Sequence, residues 1–326
     1  MARRAGACLG ADVQVADLRR LPGGASRETW SFDAGLPDGR RVPLILRRDP
    51  GGRTHDDLTR AVGEFGIGRD TERRLLEMLA PAGIPAPPVR FALSEEEGGG
   101  FVMDRLRGET GPRRILRDGA YAAARERLAA DCGQALARLH ALPLSGLPPL
   151  PDLDALSQIR FWRGMLDHLD VAQPVFEHAL NWLEDHRPER HRRALVHGDF
   201  RLGNLLVDAT GLVAALDWEL AHLGDPLEDI GWLCVRSWRF GGAPPVGGFG
   251  HREELYAAYE RAGGGPVGRR EAHYWEVFGT LRWGGICLIQ AFTHLRSLHR
   301  SVELAAVGRR VTETEHDLLK LLDEGD

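Results

Sequence analysis

The sequence predicts an α+β chain of two lobes, a small β-rich lobe followed by a larger, mainly helical one. Three observations carry this. In the first third of the 326 residues, short apolar runs alternate with glycine and proline turn signals. Beyond Gly108, long stretches rich in Ala and Leu place apolar residues at helical spacing. Within that helical part lies one short β-like interlude, "RALVHGDF", "NLLVD" and "LVAALDWE". The lobes divide near Leu106–Gly108, into residues 1–106 and 107–326.

The elements follow in order. "LRRLPGGASRETWSFDAG" reads as strand, glycine turn, strand, and "LPDGRRVPLILRR" as a turn feeding a third strand. "RDTERRLLEML" sets Leu75, Leu76 and Leu79 among charges, the pattern of an amphipathic helix. "PPVRFALSEEEGGGFVMDRL" reads as strand, polar turn, strand. Then come helices in "GAYAAARERLAADCGQALARLHAL", "LDALSQIRFWRGMLDHL" and "PVFEHALNWLEDH". After the β-like interlude the chain returns to helix from Asp229, and "FGGAPPVGGFG" and "RAGGGPVGRR" read as loops.

The net charge of −5 offers no basic footprint for nucleic acid or an anionic membrane. No apolar run reaches the ~18 residues of a membrane-spanning helix, and "MARRAGACLG" has no apolar stretch of signal-peptide type. Cys8, Cys132, Cys234 and Cys287 form no CxxC pair, so the expectation is reduced thiols in a cytoplasmic protein. Lys320 is the one lysine, and nearly all positive charge is arginine.

"LVHGDFRLGN" holds the chemistry. Asp199 and Asn204 lie five residues apart, and two short apolar strands joined at Gly211 return the chain to Asp217. Asn204 and Asp217 therefore offer two hard oxygen ligands at one place, which suits Mg²⁺. Asp199 lies alongside, able to take a proton from an acceptor hydroxyl. Phosphoryl transfer asks for little more than metal-bound phosphates, a placed nucleophile and neutralised charge. Singly, each of these residues would read as a loop cap or turn; three at these spacings, bordered by apolar strand, do not.

The run "LVHGDFRLGNLLVD…LVAALDWELAHLGDPLEDIGWL" resembles the aminoglycoside phosphotransferase and choline kinase-like family of small-molecule kinases, which have the protein-kinase-like fold. The resemblance implies ATP and Mg²⁺ as cofactors, Asp199 as the catalytic residue, and Asn204 and Asp217 as metal ligands. It implies that His197 props the loop. Glu219 and Asp225 stay open as assistants to the metal, and Asp229 as a support. His140 and Trp218 read as structural and packing residues.

The same fold implies three parts upstream. A flexible loop over the phosphates fits "LPGGASRETW", with Gly23, Gly24 and Ser26. A strand cation must meet the phosphates, and Lys320 lies too near the C-terminal end to serve. In "VPLILRR", period-two alternation sets Ile45 and Arg47 on one face and Leu44, Leu46 and Arg48 on the other. The resemblance favours Arg47, whose planar fork can bind phosphate bidentately. Glu72 is the expected carboxylate partner, with Glu64 and Glu77 as alternatives. The hinge resembles "FVMDRLRG", where Asp104 to Leu106 would present main chain to adenine beside Met103.

The expected partner is a small-molecule hydroxyl acceptor, bound in the helical lobe beside Asp199. Trp162, Met165, Trp182, Trp238, Phe278 and Trp283 belong to that lobe, and any that line the cleft would favour an acceptor with an apolar part. A polycationic antibiotic would want carboxylates instead. The motif block is most similar to the branch associated with acyl-CoA dehydrogenase partners, which implies hydroxyacyl acceptors and a functional association with acyl-CoA metabolism. A nucleotide-binding module without transfer is the alternative, disfavoured by the presence of Asp199, Asn204 and Asp217 together. A protein kinase is disfavoured because no long segment with an A-P-E ending follows Asp217.

Overall fold

The computed structural model describes residues 1–21, 27–49, 66–188, 192–296, 298 and 300–325. Gly23, Gly24, Ser26 and Glu64 lie outside the described residues. The N-terminal lobe is an antiparallel sheet of five strands, β1 (Gln14–Arg20), β2 (Glu28–Gly35), β3 (Arg41–Arg48), β4 (Val89–Leu93) and β5 (Gly100–Asp104), in the order β1-β2-β3-β5-β4. Strand alternation divides it into two faces. Phe32, Leu44, Leu46 and Val102 form a local apolar cluster, while Ile45, Phe101 and Met103 join the large core shared with the helical lobe.

A short helix, α1 (Ala2–Leu9), precedes the sheet, an element the reading of the sequence did not include. Ala5 is fully buried in the Leu44/Val102 cluster, so tertiary packing stabilises a helix too short to stand alone. The helix α2 (Arg69–Leu79) buries Glu72, Leu75, Leu76 and Leu79, a stripe at i, i+3, i+4 and i+7. Its one charged member needs a partner, and that need builds the site.

The larger lobe comprises α3 (Pro112–Arg117), α4 (Ala122–His140), α5 (Ala155–Leu169), α6 (Pro174–Asp185), α7 (Leu227–Cys234), α8 (Arg252–Arg261), α9 (Arg269–Leu295), α10 (Val302–Gly308) and α11 (Val311–Gly325). α9 is buried along most of its length and packs against α7, α10 and α11. Gly231 lets α7 approach it: a Cβ there would come within 2.4 Å of the Trp275 backbone. Of the six apolar residues considered for the acceptor cleft, Trp162, Met165, Trp238 and Phe278 are buried in the core. Only Trp182 and Trp283 are part-exposed.

Four short strands fall between α6 and α7: β6 (Ala194–Val196) pairs with β9 (His222–Gly224), and β7 (Leu205–Asp208) forms a hairpin with β8 (Gly211–Ala215). Backbone hydrogen bonds tie this region to the first lobe. Ile67 N–H donates to the Glu219 carbonyl at 2.7 Å, and Ala215 N–H to the Pro85 carbonyl at 2.7 Å. Among the described residues no helix is long and apolar enough to cross a membrane.

Candidate active site

The loop leaving β6 is held from below. Asp229 in α7 is fully buried and accepts from the amides of His197 and Gly198 at 2.8 and 3.0 Å. It is itself bonded to His140 at 3.1 Å, whose other ring nitrogen meets the Tyr259 hydroxyl at 2.9 Å. Burial pushes the Asp229 carboxyl up, but the His140 bond, His197 and the donated amides hold it below its ordinary value. Gly198 adopts φ 78°, and a Cβ there would lie 2.3 Å from the Leu220 carbonyl oxygen. Only glycine fits this turn.

His197 is fully buried, and burial lowers its pKa despite nearby carboxylates, so the ring is neutral. Its Nδ1 accepts from the Asp199 amide at 3.1 Å. The ring packs against Trp218, which is buried and donates to the Ala215 carbonyl at 3.0 Å. Both residues shape the loop.

The Asp199 carboxylate receives three donors. Arg201 Nε and Trp232 Nε1 each reach Oδ1 at 2.9 Å, and Asn204 Nδ2 reaches Oδ2 at 2.5 Å. Asn204 Nδ2 also meets the Asp199 carbonyl at 3.0 Å, so its amide oxygen is the atom left for another ligand. The Asn204 carbonyl accepts the Leu216 amide at 2.8 Å. The next residue is Asp217, at φ 66°, a left-handed conformation that Asp tolerates better than most residues. The hairpin thus returns Asp217 to the loop that carries Asp199 and Asn204.

From the sheet, Arg47 closes the site. Nη2 donates to Asp217 Oδ1 at 2.8 Å and lies 3.5 Å from Glu219 Oε2, while Nη1 lies 3.2 Å from Glu72 Oε1. Burial raises the Asp217 pKa, but the Arg47 charge and hydrogen bond outweigh it and hold the carboxyl below its ordinary value. Arg48 instead points outward, pairing with Glu28 at 2.8 Å and standing over Trp30. Glu77 pairs with Arg73 at the surface. Met103 lies on β5 opposite Ile45. At the strand end, the Asp104 and Arg105 amides donate to the carbonyls of Pro88 and Pro43. The Asp104 side chain pairs outward with Arg90.

The donor set fits Mg²⁺: one carboxylate and one amide oxygen, both hard, carried on adjoining loops. Among the described residues no group of three His, Cys, Asp or Glu could cage a metal. Mg²⁺ characteristically completes such a shell with waters and substrate phosphates. Asp225 stands apart: its carboxyl accepts from the Leu227 amide at 2.8 Å, and burial raises it to about 6.

A cavity of about 450 Å³ opens in the helical lobe, lined by Arg236, Ser237, Phe240, Arg310, Glu313 and Asp317 among others. Its wall runs back to the catalytic loop. A Cβ at Gly203 would lie 4.0 Å from Phe240, and the Arg201 guanidinium stands 4.5 Å over Trp238.

Sequence reading missed three members of this arrangement. Arg201 lies inside the motif, and a charged residue two places after Asp199 was a usable signal. Trp232, and Arg27 beside Glu72, carried none, because both act on residues more than thirty positions away. His140 and Asp229 were read as structural and supporting residues, but their bond to each other spans 89 positions and had no signal.

The model of the phosphotransferase enzyme family matches residues 17–274. Among curated proteins, mouse acyl-CoA dehydrogenase family member 10 is 29% identical over 63% of the chain, and chicken acyl-CoA dehydrogenase family member 11 is 31% identical over 66%. The matched segments make up 19% and 27% of those longer relatives. Among solved structures, a choline/ethanolamine kinase family protein from Mesorhizobium loti superposes with TM-score 0.63 at 21% identity, over 94% of this chain and 88% of that one. Aminoglycoside phosphotransferase APH(4)-Ia in a ternary complex with AMP-PNP and hygromycin B gives TM-score 0.59 at 19% identity, over 97% of both chains. At these identities the structural likeness establishes the protein-kinase-like fold.

Proposed function

The chain belongs to the phosphotransferase enzyme family, and we propose that it transfers the γ-phosphate of ATP, with Mg²⁺, to a hydroxyl of a small molecule. The observation that carries this reading is the convergence of Asp199, Asn204 and Asp217 at the open end of one hairpin, with Arg47 reaching across from the sheet. Asp199 orients the acceptor hydroxyl and takes its proton, its carboxylate already aimed by Arg201, Trp232 and Asn204. Asn204 and Asp217 hold the metal through oxygen. Bound Mg²⁺ supplies charge neutralisation at the phosphates. Arg47, anchored by Glu72, offers its guanidinium to the same phosphates. The Asp104 and Arg105 amides are committed within the sheet, so Leu106 is the hinge amide we assign to adenine, beside Met103. Gly23, Gly24 and Ser26 remain our assignment for the phosphate loop.

For the acceptor, a hydroxyacyl-type compound is favoured over an antibiotic or amino-alcohol. The names of the curated relatives support an association with acyl-CoA chemistry. The cavity beside the catalytic loop balances Arg236 and Arg310 with Glu313 and Asp317, which is not the carboxylate-rich lining that a polycation requires.

The test is a product search. Purified protein, ATP and Mg²⁺ are incubated with pooled hydroxyacyl-CoAs, aminoglycosides and choline-like alcohols, and phosphorylated products are read by mass spectrometry. A product that Asp217→Ala does not form supports the reading. Nucleotide binding without any product moves the assignment to a nucleotide-binding module without transfer.

A further inference from the structure

Glu72 is fully buried and faces two guanidinium groups. Arg47 approaches one of its oxygens. Arg27, only 8% exposed at the entry to β2, donates from Nη1 to the other. Arg27 also donates from Nη2 to the Ile67 carbonyl, and its Nε lies 3.5 Å from Asp49 at the end of β3. The Ile67 amide in turn bonds to the Glu219 carbonyl, two residues past Asp217. One side chain therefore links β2, the end of β3, the approach to α2 and, through the single residue Ile67, the metal loop.

Burying a second arginine is costly, and Arg47 does not need it for its own neutralisation, since it already faces Glu72, Asp217 and Glu219. Its placement has an electrostatic consequence. Without Arg27, Glu72 would direct its whole charge at the Nη1 edge of Arg47, whose Nη2 edge faces Asp217 and Glu219. With Arg27 on its second oxygen, Glu72 divides its charge between two cations, and Arg47 keeps more positive potential toward the cleft. We propose that Arg27 is a positioning residue of the nucleotide site, fixing Glu72 while loosening its hold on Arg47, so that Arg47 is available to the phosphates. This rests on the phosphotransfer reading above.

The test measures binding of AMP-PNP with Mg²⁺ by calorimetry, alongside thermal unfolding, for the wild type, Arg27→Met, Arg27→Lys and Arg27→Met/Glu72→Gln. Arg27→Met is expected to weaken nucleotide binding about fivefold to tenfold, with partial recovery in Arg27→Lys, as for loss of one charge-assisted contact. The double variant is expected to bind more tightly than Arg27→Met alone, since neutralising Glu72 releases Arg47. Loss of thermal stability with unchanged affinity would overturn the proposal, because a purely structural arginine gives that result. So would a double variant no tighter than the single. Should Arg27→Met fail to fold, Arg27→Lys decides, because lysine lacks the fork to serve Glu72 and Ile67 together, and unchanged affinity there overturns the proposal. A wild type that binds no nucleotide sinks the phosphotransfer reading itself.

Discussion

Arg47 on β3 and Asp217 beyond β8 stand 170 positions apart, and their side chains meet in a charged hydrogen bond of 2.8 Å. Burial works against the guanidinium charge, but Glu72, Asp217 and Glu219 more than offset it and raise the Arg47 pKa. The pair joins the two lobes at the place where phosphates and metal are expected.

Replacing Arg47 with methionine should raise the KM for ATP about tenfold to a hundredfold, matching the ~1.5–3 kcal/mol of a hydrogen bond to a charged group. Arg48→Met should leave it within about twofold, because surface ion pairs contribute little and Arg48 serves Glu28. Steady-state kinetics at varied ATP distinguishes them. The reverse ranking would mean that the wrong arginine has been assigned to the phosphates.

Asp199→Asn should bind ATP with Mg²⁺ as the wild type does, yet turn over about 10²- to 10⁴-fold more slowly. Trp232→Phe, which removes one donor from the same carboxylate, should slow turnover by less. Calorimetry together with initial rates checks both. Loss of nucleotide affinity in Asp199→Asn would overturn the division of roles between Asp199 and Asp217.

Asp229 touches no predicted ligand, yet it holds two loop amides and His140. Asp229→Ala should cost about 3–5 kcal/mol, the loss typical of breaking a buried charged pair, and should reduce turnover through the loop. Urea unfolding gives the first quantity. A change within about 0.5 kcal/mol, the range of an ordinary surface substitution, would show that the loop is supported elsewhere.

The Asp225 carboxyl, raised by burial to about 6, gives a pH signature. The folded chain binds its proton more tightly than the unfolded chain, so its stability contribution declines as pH rises from about 4 through 6 and then levels. Asp225→Asn should match the wild type near pH 4 and exceed it increasingly up to about pH 6, with a constant difference above. Unfolding midpoints measured from pH 4 to 8 would show it; a difference independent of pH would refute it.

Much of this was legible in the chain. The alternation in "VPLILRR" separated Ile45 and Arg47 from Leu44, Leu46 and Arg48, and the structure places those sets on opposite faces of β3. "HGDFRLGN" and "DWE" were readable because the loop and hairpin are contiguous, so spacing alone returns Asp217 to Asn204. The apolar residues of the helical lobe were less legible. Composition cannot separate a cleft wall from a core, and Trp162, Met165, Trp238 and Phe278 are core. The helix α1 was also hidden, since its stability comes from burying Ala5 under the sheet.

The sequence by itself determined the order of most elements, the β-rich lobe before the helical one and the motif that carries the loop groups, because each is written in residues a few positions apart. The tertiary structure decided which charges meet: Arg47 with Asp217, Arg27 with Glu72, Trp232 with Asp199, Asp229 with the His197 loop. Those pairings follow from buried groups needing partners wherever packing brings two elements together, and no local pattern of residues encodes that meeting.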